Sequence, residues 1–220
     1  MFTLRTHGWR LALIASGILL VLGGRLHPSA DAEDSLAEEL ATMAADDRWI
    51  PGHALIAASA VLLAVGLWAA WGSRAWPARV QLPLAFAAAA FTAYVFETIA
   101  HLSAGADAAD LAAGETAPVA MTHIGLSIVL YPITGWALIL LAWSFGRAWR
   151  GWRRGVAVVG VVAGVLQTFS VPLSILLPDA ELSPVFAGAA MLLAVFSIGT
   201  GLVGAPRRSV TTPVPQPAAV

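Results

Sequence analysis

The chain has 220 residues, of which 59% are hydrophobic and 11% charged, and its mean hydropathy is +0.79. These values exclude an ordinary soluble domain, a disordered chain and a fibrous repeat, and they predict an integral membrane protein. The sequence contains no cysteine, which excludes disulfides, thiolate metal sites and a cysteine nucleophile. Any metal site must therefore be built from histidine and carboxylate ligands.

Six apolar runs predict six transmembrane helices. A hydrocarbon core of about 30 Å requires roughly 20 helical residues, and a helix is the one open structure that satisfies its own backbone in lipid. The predicted fold is therefore all-α, a single transmembrane helical bundle over residues 1–204. The predicted spans cover about residues 9–25, 50–72, 80–102, 118–145, 155–177 and 183–204.

The first run is the shortest and admits a second interpretation. Arg5 and Arg10 precede a short apolar stretch, and an Ala-Asp-Ala triplet follows at 30–32, a pattern that is also typical of a cleaved signal peptide over residues 1–32. The long side chains of Arg10 and Arg25 reach the two membrane interfaces, which favours a retained span. We therefore predict six spans rather than five.

Two segments outside the spans have clear patterns. Ser35 and Glu38 have the spacing of a capping box before helically spaced apolar residues, which predicts a short amphipathic surface helix at about residues 34–46. Its acidic face is interpreted as a solvated face. Residues 205–220 contain four prolines and cannot sustain a helix, so they are predicted to form a disordered cytoplasmic tail.

The charges separate by side if the spans alternate. Ten of the twelve arginines then lie on one side and twelve of the thirteen acids on the other. The positive-inside rule predicts that the arginine side is cytoplasmic, with both termini inside and the acidic loops extracytoplasmic. Tryptophans cluster at the arginine side, as an aromatic belt does. The localisation predicted is a multi-pass protein of the cell membrane.

The same distribution limits the predicted partners. Because topology accounts for the arginines, the sequence indicates no nucleic-acid binding, and the lipid bilayer is the predicted environment. Gly160 and Gly164 form a GxxxG pattern on the fifth span, which predicts close contact with another helix. That helix belongs either to this chain or to a second copy, so a homo-oligomer through the Gly160/Gly164 face is one alternative.

Four of the five histidines map to the acidic side. Near that side lie His53 at the start of the second span, His101 at the end of the third and His123 about one turn into the fourth. Glu97, the one acid within a span, precedes His101 by four residues and shares its helix face about 6 Å deeper. Intramembrane acids are rare and costly, so we predict a metal site of His53, Glu97, His101 and His123. The sequence assigns no role to His27 or His7.

Polar stripes accompany these residues and are predicted to face the bundle interior, because unpaired polar groups are costly in hydrocarbon. They outline a polar cavity that opens on the acidic side. The side chains concerned are Ser127, Tyr131 and Thr134 on the fourth span, and Gln167, Ser170 and Ser174 on the fifth.

Several functions fit this pattern. The first is a membrane protein that binds a transition metal ion (Cu, Zn or Fe) or haem, with redox or metal-assisted hydrolytic activity. Alanine-rich segments leave room for a flat cofactor, although they also favour close helix packing. The alternatives are a proton- or ion-coupled transporter in which Glu97 titrates, and a structural or accessory protein without catalytic activity. The sequence leaves open whether the protein is an enzyme.

Overall fold

The computed structural model describes residues 4–28, 36–177 and 180–206. Within these ranges the secondary structure is entirely helical, which confirms the all-α prediction. The helices are α1 (Leu4–Leu26), α2 (Leu36–Ala44), α3 (Trp49–Gly72), α4 (Ala78–Ser103), a 3-10 turn (Ala104–Asp107), α5 (Ala108–Ala112), α6 (Pro118–Ala148), α7 (Arg153–Leu176) and α8 (Ser183–Val203).

Six of these helices, α1, α3, α4, α6, α7 and α8, are long and apolar enough to cross a membrane, as predicted. α1 packs along α3 and α8, and its retention stays a prediction. α2 lies within the segment predicted to form a surface helix, while Ser35 of the proposed capping box lies outside the described residues. The predicted disordered tail also lies outside them from residue 207 onward.

The six long helices form a closed ring. Each consecutive pair in the series α1, α3, α4, α6, α7 and α8 is in contact, and α8 returns to α1. At one end, the Arg10 Nε donates a hydrogen bond to the Gly201 carbonyl at 2.7 Å, which joins the first span to the last. This end, which also carries Arg79, Arg147 and Trp149, is called the arginine end. The opposite end, which carries His27, is called the histidine end.

The ring interior differs between its two ends. From the arginine end toward the middle it is filled by a continuous apolar core that includes Leu84, Phe91, Leu138 and Phe145. Trp76 stacks on Phe145 with ring centroids 4.0 Å apart. Toward the histidine end the buried side chains include the polar His53, Glu97 and Ser127, beside a second and smaller apolar cluster around Trp49. Among the described residues, the buried ionisable side chains His53, Glu97 and Asp107 all lie toward this end.

The GxxxG glycines lie in contacts within the chain. A Cβ atom at Gly160 would overlap the Phe196 ring of α8, and one at Gly164 would lie 2.7 Å from the Gly135 carbonyl of α6. Both glycines are buried. The predicted close helix contact is present within the chain, with α6 and α8, and the homo-oligomer stays a prediction.

Gly135 lies where α6 and α7 approach closely, and it provides a stability test. A Cβ atom there would lie 2.5 Å from the Thr168 backbone nitrogen, a group that cannot rotate away. We expect Gly135→Ala to destabilise the protein by about 1–3 kcal/mol, the usual cost of overpacking. Thermal unfolding in detergent measures the change. Gly125→Ala is the matched control, because Gly125 is on the same helix with nothing within 4 Å and alanine favours helix there. Equal melting temperatures for the two variants would contradict the expectation.

Candidate metal centre

Four neighbouring helices of the ring each bring one histidine to the histidine end. His27 follows α1 directly, His53 lies one turn into α3, His101 is in the last turn of α4, and His123 is in the second turn of α6. Because these helices are consecutive in the ring, the imidazoles form a row. The ring centroids are 4.7 Å apart from His27 to His53, 4.4 Å from His53 to His101, and 4.0 Å from His101 to His123.

The possible ligand atoms fall into two groups of three, each with its atoms within 4.8 Å of one another. The shallow triad is His27, His53 and His101, and the deep triad is Glu97, His101 and His123. All four residues singled out in the sequence therefore lie in this cluster. They are divided between the triads, however: His53 belongs to the shallow triad, and Glu97 and His123 belong to the deep triad. His101 belongs to both triads.

His27 is the residue that sequence reasoning missed. It stands beside Pro28, outside the apolar run, and its position on the same side as the other histidines was the one available signal. Its place in the cluster depends on α1 packing against α3, a contact that no local pattern specifies. The half-buried His27 ring consequently lies directly against His53.

Hydrogen bonds to the ring nitrogens indicate which atoms are free to bind a metal. The Nδ1 atom of His27 lies 2.7 Å from the Pro28 carbonyl, and that of His53 lies 2.7 Å from the Trp49 carbonyl. Because a carbonyl accepts, each Nδ1 carries the proton and each Nε2 keeps its lone pair, as in metal-bound histidines. The buried His53 Nε2 has no hydrogen-bond partner. Burial also lowers the pKa of His27, which favours its neutral, metal-binding form.

Glu97 lies at the bottom of the cluster and is completely buried. Its Oε1 atom is 3.0 Å from His123 Nδ1 and accepts a hydrogen bond of 2.9 Å from Ser127 Oγ. Its Oε2 atom is buried without a partner. An unpaired carboxylate oxygen in a low-dielectric interior is costly unless a cation or a donor lies beside it. Glu97 Oε2 and His53 Nε2 are thus two buried lone pairs without a partner in one cluster.

Packing around the cluster fixes the helices that carry the ligands. Trp49 packs against His53 with centroids 3.9 Å apart, and its indole Nε1 donates to the Leu102 carbonyl at 3.1 Å. The buried Asp107 accepts hydrogen bonds of 2.7 and 3.0 Å from backbone amides in the first turn of α6. These bonds join α3 to α4, and the end of α4 to the helix that carries His123.

The polar stripes face the interior as expected, but they do not surround an open cavity. Ser127, Thr134, Gln167 and Ser170 are each at most 6% exposed. Gln167 Nε2 lies 3.5 Å from Thr134 Oγ1, and the Thr134 hydroxyl donates to a carbonyl of its own helix at 2.7 Å. Because hydroxyl groups satisfied by their own helix need no water, the polar region packs tightly. These four side chains therefore do not line an open space, and the predicted cavity as a whole stays a prediction.

The fold and the site together define a class of protein. The part of the chain that the structure describes has six helices apolar and long enough to span a membrane, and at one end of them a His/Glu group that could hold a metal ion. Comparison with protein-family models, with curated proteins and with solved structures gave no match. The chemistry of the site is therefore argued from its own geometry.

Proposed function

We propose that the protein binds a divalent transition metal ion at the histidine end and uses it for metal-assisted hydrolysis at the extracytoplasmic face of the cell membrane. The observation that carries this proposal is the pair of buried lone pairs on His53 Nε2 and Glu97 Oε2 within one cluster of ligands. A cation in the deep triad satisfies Glu97 Oε2, a cation in the shallow triad satisfies His53 Nε2, and in either place it offsets part of the cost of burying a lone pair. The distribution of arginines supports the extracytoplasmic orientation.

The donor set favours zinc among the metals considered. Catalytic zinc sites use three protein ligands, often three histidines or two histidines with one glutamate, and leave a position open for water or substrate. Each triad has one of these compositions. Copper and iron also accept imidazole ligands, and metal analysis distinguishes them from zinc. The spacing of the histidines disfavours haem. The rings of His101 and His123 are 4.0 Å apart between centroids, which leaves no space for a macrocycle between them.

The residues of the cluster have separate roles in this proposal. A bound zinc ion supplies Lewis-acid chemistry and activates water near neutral pH. The Glu97 carboxylate offsets part of the charge of the ion, and the Ser127 hydroxyl orients that carboxylate. His27, His101 and His123 are partly exposed, so an ester, amide or phosphoester group of a small molecule or lipid headgroup can approach from the membrane surface.

Elemental analysis of the purified full-length protein tests the proposal. We expect about one zinc ion per chain, because the two triads share His101, and no Soret band in the visible spectrum. His7→Ala is the control, since His7 lies near the beginning of α1, at the opposite end from the cluster, and this variant should keep its metal. Protein that is free of zinc, copper and iron after purification without chelators would overturn the proposal, and a Soret band would indicate haem instead.

A further inference from the structure

We propose that the two triads are successive positions of one metal ion. The shallow triad of His27, His53 and His101 receives the ion, and the deep triad of Glu97, His101 and His123 holds it. His101 is a ligand in both positions. This inference rests on the metal-binding function proposed above and adds to it a route by which the ion reaches its final site.

The two triads differ in depth. His27 lies beyond the end of α1 and is half-buried, so the shallow triad begins at the surface of the histidine end. Glu97 lies one helical turn below His101 and is completely buried beside Ser127. His27 therefore offers an ion from water a ligand beyond the helix end, whereas the Glu97 carboxylate is the most deeply buried ligand of the cluster.

The two triads also differ in charge. Neutral imidazoles alone form the shallow triad, so a divalent ion there keeps its full charge, whereas Glu97 adds a carboxylate to the deep triad. Attraction between opposite charges is strongest where the dielectric constant is low, so the ion is more stable in the deep position. Asp107, the other buried acid among the described residues, is already bonded to α6 amides. Two ions would share His101, with the single Glu97 carboxylate to offset the charge of both, and their repulsion makes the positions mutually exclusive.

The arrangement of His101 allows the ion to pass from one triad to the other. Its ring stacks on His123 at an interplanar angle of 20° and lies 4.4 Å from His53 between centroids. An ion that keeps its bond to His101 exchanges His27 and His53 for His123 and Glu97. It is therefore never without a protein ligand during the transfer, and no electron or covalent bond to carbon is involved.

Stopped-flow loading of the metal-free full-length protein in detergent with Co²⁺, followed by visible absorption, tests this route. We expect His27→Ala to slow loading at least about tenfold, equivalent to about 1.4 kcal/mol in the barrier. Its final Co²⁺ spectrum and stoichiometry should equal those of the wild type, because the deep triad is intact. His27→Gln keeps a polar side chain and should also load slowly, whereas His7→Ala should load at the wild-type rate.

Three results would overturn the route while leaving metal binding in place. These are wild-type loading rates in both His27 variants, two Co²⁺ ions bound per wild-type chain, and loss of equilibrium Co²⁺ binding in His27→Ala. The last result would make His27 a ligand of the final site. If the wild-type protein binds no Co²⁺, zinc or copper, the proposed function itself fails and the route fails with it, which distinguishes the two proposals.

Discussion

Replacing His101 with alanine is expected to lower zinc affinity more than any other single histidine substitution in the cluster. His101 is the one residue common to both triads, so its loss leaves two potential ligands in each. We expect the affinity to fall by more than about 100-fold, since even the loss of a residue that only orients a ligand costs about 10–100-fold. Competition with a zinc-binding dye measures the affinity, and His7→Ala is the control.

The order of effects among the other histidines provides a sharper check on the same prediction. His123→Ala removes a ligand of the deep triad, while His53→Ala removes one of the shallow triad alone. Equilibrium affinity should therefore fall most for the His101 variant, less for the His123 variant and least for the His53 variant. Stoichiometric zinc in purified His101→Ala protein would exclude both triads as the binding site.

The spans and part of the site could be predicted from the sequence for physical reasons. Lipid offers no hydrogen bonds to the backbone, so each crossing segment must be an apolar helix, and hydropathy alone finds it. Glu97 and His101 share a helix face because their spacing of four residues is close to one turn. These are local rules, and the structure brings both side chains to one cluster, as the spacing indicated.

The division into two triads could not be predicted, because it depends on which helices are neighbours. The ring order places α1 beside α3 and closes through α8, and no local pattern specifies these contacts. His27 was missed for this reason. The burial of the polar stripes also depends on contacts within the bundle: the Thr134 hydroxyl bonds to a carbonyl of its own helix, so it needs no water to satisfy it.

Replacing Glu97 with glutamine separates the metal site from its alternatives. Glutamine keeps the size of the side chain and can still bond to Ser127, but it removes the charged ligand of the deep triad. We expect zinc affinity to fall by about 10–100-fold or more, since the loss of a residue that only orients a metal ligand already costs that much. The free energy of unfolding of the metal-free protein should change by only about 1 kcal/mol. Dye competition and thermal unfolding of the apoprotein measure the two quantities.

The same substitution at Glu181 is the control, because that side chain is exposed and far along the chain from the cluster.

The other two functions predict different results for Glu97→Gln. A transporter in which Glu97 titrates would lose pH-dependent flux without losing bound metal, and a structural acid would leave metal content, stability and growth unchanged. Unchanged zinc affinity in this variant would contradict a carboxylate ligand in the deep triad. A fall in zinc affinity with an intact fold is the result that a charged ligand requires, because glutamine preserves the shape and the hydrogen bond to Ser127 but not the charge.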